Sequence, residues 1–180
     1  EEEVWIAAQL YGEYRVMVCI GSQWENKRLF PSMWALLLKQ LDEKKGVHFY
    51  FVWGSEKEKQ EGRELHRQFK ECSTLLPKLS LPVWQRMMGE MDLILSVDSS
   101  ALHLAGASGV PTASFFGPSS AAVCKPPGKN HLAYQGACPY GQTFTKRCPF
   151  LRTCPSGACL KAQPPKELLD FMKQVGADRS

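Results

Sequence analysis

Between residues 14 and 117, short runs dense in Val, Ile, Leu and Phe alternate with longer amphipathic ones. The apolar runs are "YRVMVCI" (14–20), "VHFYFVW" (47–53), "DLILSV" (92–97) and "TASFF" (112–116). Near-continuous apolar runs of this length mark strands buried on both faces. The stretches between them carry helical spacing. Trp34, Leu37, Leu38 and Leu41 follow Pro31, a residue suited to a first helical turn, in a helix expected to reach about Lys44. Leu65 and Phe69 mark the inward side of the charged "EKEKQEGRELHRQF". Ser80 is placed to cap a helix from Pro82 to about Glu90, after a short extended piece in "STLLPKLSL", and "ALHLAGAS" reads as another helix. Strand and helix in strict alternation imply βαβ crossovers. The fold expected is α/β, a doubly wound sheet of about six mostly parallel strands.

After Pro118 the texture changes. Residues 118–162 are rich in Pro, Gly and Cys, with one short strand-like run, "HLAYQ" (131–135). A helix over 164–176 closes the chain, with Pro165 near its start and Gly176 at its end. We read residues 1–180 as one domain bearing an irregular cysteine-rich flap. The opening "EEEVWIAAQL" lacks an initiator methionine, so the chain reads as a piece of a longer protein.

Composition excludes several classes. The chain is 44% hydrophobic and 22% charged, the balance of an ordinary globular domain. No apolar run approaches the roughly 18 residues a membrane span needs. The net charge of +4 is spread over scattered residues (Lys27, Arg28, Lys44, Lys45, Lys57, Lys59, Lys146, Arg147) that read as a solvated surface. A nucleic-acid groove shows a denser stripe, so no nucleic-acid partner is expected. Weak attraction to phosphorylated small molecules or an anionic membrane face fits the charge. Seven cysteines, an odd number, point to a reducing compartment. Four of them, Cys138, Cys148, Cys154 and Cys159, are spaced C-x9-C-x5-C-x4-C without a C-x2-C knuckle. Unpaired thiols, a structural zinc site and disulfides all remain open for them.

The segment "SVDSSALHLAGASGVPTASFFG" (96–117) carries the chemistry. Asp98, Ser99 and Ser100 stand where a strand's carboxyl end meets a helix, the place where open parallel sheets bind ligands. The first N–H groups of a helix lack internal partners and face a partial positive charge. Ser99, Ser100 and Ala101 therefore offer small side chains and amides to a phosphate, and His103 can donate to the same anion. The competing account is plain capping, with His103 satisfied in the core. Ser22, Gln23 and Lys27, in the loop "GSQWENK", leave the sheet on the same edge, and Lys27 can reach a diphosphate as a point charge. Glu58, four residues past Gly54, can accept from ribose hydroxyls, or be one carboxylate of a charged helix face. The first strand is followed by "IGSQWEN" rather than G-x-G-x-x-G, which argues against a NAD-linked dehydrogenase.

The order of "GSQWENKRLFP", "GSEKE", "LPKLSL" and "SVDSSALHLAGASGVPTASFFGPSS" resembles the C-terminal half of the ADP-heptose:lipopolysaccharide heptosyltransferases, glycosyltransferase family nine. The tail "CPF…CPSGACLKAQPPKELLDFM" is similar to that family's ending, so the resemblance spans residues 14 to 175. It implies a Rossmann-like domain, the donor-binding C-terminal half of a GT-B transferase, with the N-terminal acceptor domain absent. It also implies that Ser22, Gln23 and Lys27 hold the donor phosphates, that Glu58 takes the ribose, and that the backbone near Leu79 meets the adenine. Asp98 would touch the sugar, while Ser99, Ser100 and His103 bind the pyrophosphate. One departure is Ser100, where the family usually carries Gly, so the serine either crowds the phosphate or contributes its hydroxyl.

By the same resemblance, heptose would pass from ADP-heptose, with inversion, to a lipopolysaccharide inner-core acceptor. The catalytic base would be an aspartate of the N-terminal half, so this piece alone would bind donor without transferring. No cofactor and no metal are implied. The expected location is the cytoplasm, with peripheral contact at the inner face of the inner membrane. A transferase using another nucleotide sugar and a non-catalytic nucleotide-binding module are the alternatives.

Overall fold

The computed structural model describes residues 2–43 and 46–177. A first helix, α1 (Glu2–Gln9), leads into β1 (Tyr14–Cys19), then α2 (Pro31–Asp42), β2 (Val47–Val52), α3 (Glu56–Gln68) and β3 (Ser73–Leu75). There follow α4 (Leu81–Gly89), β4 (Leu93–Val97), α5 (Ser100–Ala107), β5 (Thr112–Phe116), the single turn α6 (Ala121–Cys124) and β6 (His131–Gln135). The single turn α7 (Ala158–Lys161) and α8 (Pro165–Ala177) end the described chain. Helix α1 lies in a stretch where no helix was expected. The expected end of α2 near Lys44 falls outside the described residues, as does Lys45.

The six strands form one sheet in the order β3-β2-β1-β4-β5-β6, and every pairing is parallel. Strand β1 is central: Val16 pairs with Phe49 of β2 on one side and Leu93 of β4 on the other. The chain winds outward from β1 to β3, then returns to lay β4 against β1 and winds the other way. The β1/β4 boundary is therefore the point where the winding reverses.

Alternation along each strand sorts the core into two layers. Val16 and Val18 of β1 join Trp34, Leu37 and Leu38 of α2, Leu65 of α3, and Leu168, Phe171 and Met172 of α8. Met17 and Cys19 point the other way, toward Ile6 of α1, Met87 and Met88 of α4, and Ala101 and Ala105 of α5. Rings lock the first layer. Phe115 meets both Trp34 and Phe171 edge-on at centroid distances of 5.5 Å.

Segment 118–162 is irregular but pinned. The Cys148 amide donates to the Pro118 carbonyl at 2.8 Å, and the Ser120 amide to Lys146 at 2.9 Å. Arg28, expected at a solvated surface, is only 5% exposed. Its guanidinium pairs with Glu61 of α3, because a cation excluded from water needs a fixed anion. Ser80 stands at the N-cap of α4 as expected, yet its side chain makes no capping bond.

Candidate functional site

Beyond the carboxyl ends of β1, β2 and β4, straddling the reversal point, lies an open cleft of about 400 Å³. Ser22, Gln23, Lys27, Glu58, Asp98, Ser99, Ser100 and His103 all line it. Eight residues drawn from three separate stretches of sequence meet there because parallel strands end on the same edge of the sheet.

Lys27 and Asp98 form its electrostatic centre. Lys27 Nζ lies 2.6 Å from Asp98 Oδ2, with the two side chains 11% and 8% exposed. Lys27 ends a 3-10 turn, Glu25–Lys27, so its amine reaches back over the sheet edge. Ser22 Oγ donates to the Asp98 carbonyl at 3.2 Å and ties the β1 loop to the β4 loop. A buried ion pair is costly to desolvate, and a polyanion arriving at Lys27 gives the ammonium a second partner.

Helix α5 presents an open N-terminus to the same space. Ser99 holds the N-cap with extended backbone (φ −153°, ψ 174°), but its side chain makes no capping bond. Its Oγ is buried and has no hydrogen-bond partner among the described residues. His103 is exposed and lines the cleft rather than entering the core beside "TASFF". Plain capping with an interior histidine is thus not the arrangement observed. Ser100, at the first helical position, is exposed beside them.

Glu58 does two things at once. It is the third residue of α3 and completes a capping box with Ser55, accepting from the Gly54 amide at 2.7 Å and the Ser55 amide at 3.3 Å. Its carboxylate also abuts Gly21, where any β-carbon would collide with it. Cys19, at the cleft floor, has its thiol pushed far up by burial and by the Glu58 charge, so it stays protonated.

Leu79 is the expected site residue that does not line this cleft. It sits in a separate depression with Trp5, Lys78 and Val83, because the chain turns toward α1 before α4 begins. Trp53 and Trp84 supply aromatic walls instead. The Trp53 indole N–H donates to the Leu76 carbonyl at 2.8 Å, and the Trp84 indole to Met17 Sδ at 3.3 Å, which holds both rings. Arg147, read from sequence as a surface charge, also lines the cleft. The signal available for Trp53 was its position at the end of an apolar run. Arg147 offered none, since the flap brings it from far along the chain.

The four clustered cysteines, Cys138, Cys148, Cys154 and Cys159, line a second cavity of about 370 Å³. All are free thiols. Among the described residues, no three His, Cys, Asp or Glu side chains are gathered so that they could hold a metal ion. Hydrogen bonds from the Gly157 and Ser156 backbone and the Ser156 hydroxyl hold the Cys154 thiol below its ordinary pKa. Burial and the neighbouring cysteines push Cys159 up to about 11.

Residues 7–153 match the family model for glycosyltransferase family 9, the heptosyltransferases. The chain belongs to that family. Lipopolysaccharide heptosyltransferase 1 of Pseudomonas aeruginosa is 27% identical over 133 residues, which cover 74% of this chain and 37% of that protein. The structure of E. coli heptosyltransferase WaaC with ADP-2-deoxy-2-fluoro heptose superposes with a TM-score of 0.62 at 25% identity. That match covers 73% of this chain and 40% of WaaC. E. coli ADP-heptose lps heptosyltransferase II shares the fold over 98% of this chain and 51% of its own length, with a TM-score of 0.70 at 20% identity. This family 9 chain therefore spans about half or less of these relatives. Among the described residues no helix is long and apolar enough to cross a membrane.

Proposed function

We propose that this chain is the donor-binding part of an inverting heptosyltransferase and that the cleft at the β1/β4 boundary holds ADP-heptose. The observation that carries the reading is the meeting of Lys27, Asp98, the open α5 N-terminus and His103 in one cleft of a family 9 chain. The α5 amides, the Ser99 and Ser100 hydroxyls, His103 and Lys27 take the diphosphate. Ser22 and Gln23 border it. The Glu58 oxygen not engaged by the Gly54 and Ser55 amides accepts from the ribose hydroxyls. Trp53 and Trp84 flank the base, where flat aromatic faces suit a purine. Asp98, whose Oδ2 keeps Lys27, accepts from the sugar hydroxyls through Oδ1.

In transfer, the bond between the anomeric carbon and the diphosphate oxygen breaks, and negative charge grows on the departing ADP. Donors already fixed at that point lower the barrier without reorganising. Lys27, His103 and the α5 amides supply them from this chain alone. Deprotonation of the acceptor hydroxyl falls to a base on the acceptor side, outside this cleft. The acceptor is a sugar of the lipopolysaccharide inner core, which places the work on the inner face of the inner membrane.

Calorimetry with ADP and UDP tests the reading. ADP should bind and UDP should bind markedly more weakly. Lys27→Ala should cost about 1–3 kcal/mol of ADP affinity, the scale of a charge-assisted hydrogen bond. Equal affinity for UDP points instead to a transferase for another nucleotide sugar. Unchanged ADP affinity in Lys27→Ala at low salt removes the phosphate role.

A further inference from the structure

Asn26 and Lys27 are consecutive on one 3-10 turn, yet they serve different cavities. Lys27 lines the donor cleft, and Asn26 lines the thiol-bearing cavity behind it. A 3-10 turn this short has little stability of its own. Its internal bonds include Lys27 N–H to the Trp24 carbonyl at 3.0 Å and Arg28 N–H to the Glu25 carbonyl at 3.2 Å. It is held from α3, by the Arg28–Glu61 and Lys57–Glu25 ion pairs, and from the flap.

Asn26 is 7% exposed, and its Nδ2 donates to the Leu151 carbonyl at 2.6 Å. On its other side stands Gly157, with φ +58°, so close that a β-carbon there would lie 2.8 Å from Asn26 Cα. Lys161 of α7 reaches Glu25 at 3.3 Å and lies over the Phe30 ring at 5.2 Å. The flap itself is anchored to the sheet through Cys148 and Pro118, and Gly136 packs against the Cys159 carbonyl with no room for a side chain. A continuous chain of contacts therefore runs from β5 and β6 through the cysteine-bearing segment to the backbone of the residue next to Lys27.

We propose that Asn26 is a positioning residue for Lys27 and that the cysteine-bearing segment 138–159 sets donor affinity through this turn. The inference rests on the reading that Lys27 binds the donor phosphates. A lysine has a long stem with four rotatable bonds, so its charge is worth most where the backbone beneath it is fixed. Misplacing a positioning group by about 1 Å is enough to be felt strongly at a charged site. Asn26 fixes that backbone from the side facing away from the ligand, where it touches no substrate.

A double-variant cycle tests this, with ADP affinity and thermal midpoint measured on Asn26→Ala, Lys27→Ala and the pair. Asn26→Ala should weaken ADP about tenfold when Lys27 is present and less than about twofold when Lys27 is already alanine. A purely structural role would lower the midpoint equally in both backgrounds and leave ADP affinity of the folded protein alone. Two further variants guard against unfolding and should show the same dependence on Lys27. Asn26→Asp keeps the shape and loses the donated N–H, while Gly157→Ala presses on Asn26 from the flap. Equal losses in both backgrounds, or intact ADP binding in Asn26→Ala where Lys27→Ala is impaired, overturn the positioning role. Intact ADP binding in Lys27→Ala overturns the donor reading and this inference together.

Discussion

Ser99 stands at the cap of α5 with its hydroxyl unspent on the helix, and His103 one turn later lies exposed in the cleft. Both facts are local choices with a ligand-sized consequence. A capping bond from Ser99 would have used one of the amides that an anion needs, and a buried His103 would have been tied to core packing. The two roles separate by experiment. Because His103 is exposed, His103→Ala should change stability by no more than about 0.5 kcal/mol, as for other surface positions. Under the proposed function it should cost about 1–3 kcal/mol of ADP affinity, the value of a hydrogen bond to a charged group. Thermal melts and calorimetry on the one variant read both numbers. A lowered midpoint with undiminished ADP binding would end its role at the phosphate.

Among the elements, α3 shows how a cleft residue is held by secondary structure. Its capping box joins Ser55 and Glu58, so the bond that starts the helix also aims a carboxylate at the cleft. The charged pattern "EKEKQEGREL" announces a solvated helix, and most of it is one, but Glu58 is turned inward by the cap. Ser55→Ala should destabilise the fold by about 0.5–2 kcal/mol, the usual worth of a serine cap. It should weaken ADP binding only slightly, since the Glu58 backbone loses its bond to the Ser55 hydroxyl while the Gly54 and Ser55 amides still hold the carboxylate. Urea unfolding and ADP titration check the two effects, and a stable variant with weakened binding would show that the cap acts on the site alone.

For the molecule as a whole, stability and the site are carried by different regions. Phe171 of α8 packs against Phe115 and Tyr134 on the α2 side of the sheet, away from the residues that line the cleft. Phe171→Ala should cost about 3–5 kcal/mol through lost burial and the cavity left behind. ADP affinity of the remaining folded protein should fall less than about twofold, because distant sites without shared partners behave additively. Chemical denaturation followed by calorimetry well below the midpoint tests the separation. A parallel loss of affinity would mean that the sheet edge depends on α8.

Periodicity was enough for the parallel α/β class, because a parallel sheet buries both faces of each strand and writes that burial as runs such as 47–53 and 92–97, but it left β3 as a short extended piece and gave no sign of α1. The placement of the helix-terminal serines and the Lys27 loop at the cleft was legible for a similar reason: each follows shortly after a strand's carboxyl end. The rest depended on contacts far apart in sequence. Arg28 reads as a surface charge until Glu61 is seen beside it. Trp84 and Arg147 reach the cleft from α4 and the flap, and Leu79 leaves it for the α1 side. The four cysteines share one cavity without forming a ligand set, an outcome that spacing cannot decide. Local pattern fixes which backbone conformation a segment adopts, since that energy is summed over neighbours in the chain. Which side chains meet across a cleft is decided by packing between elements, and only the tertiary fold carries that information.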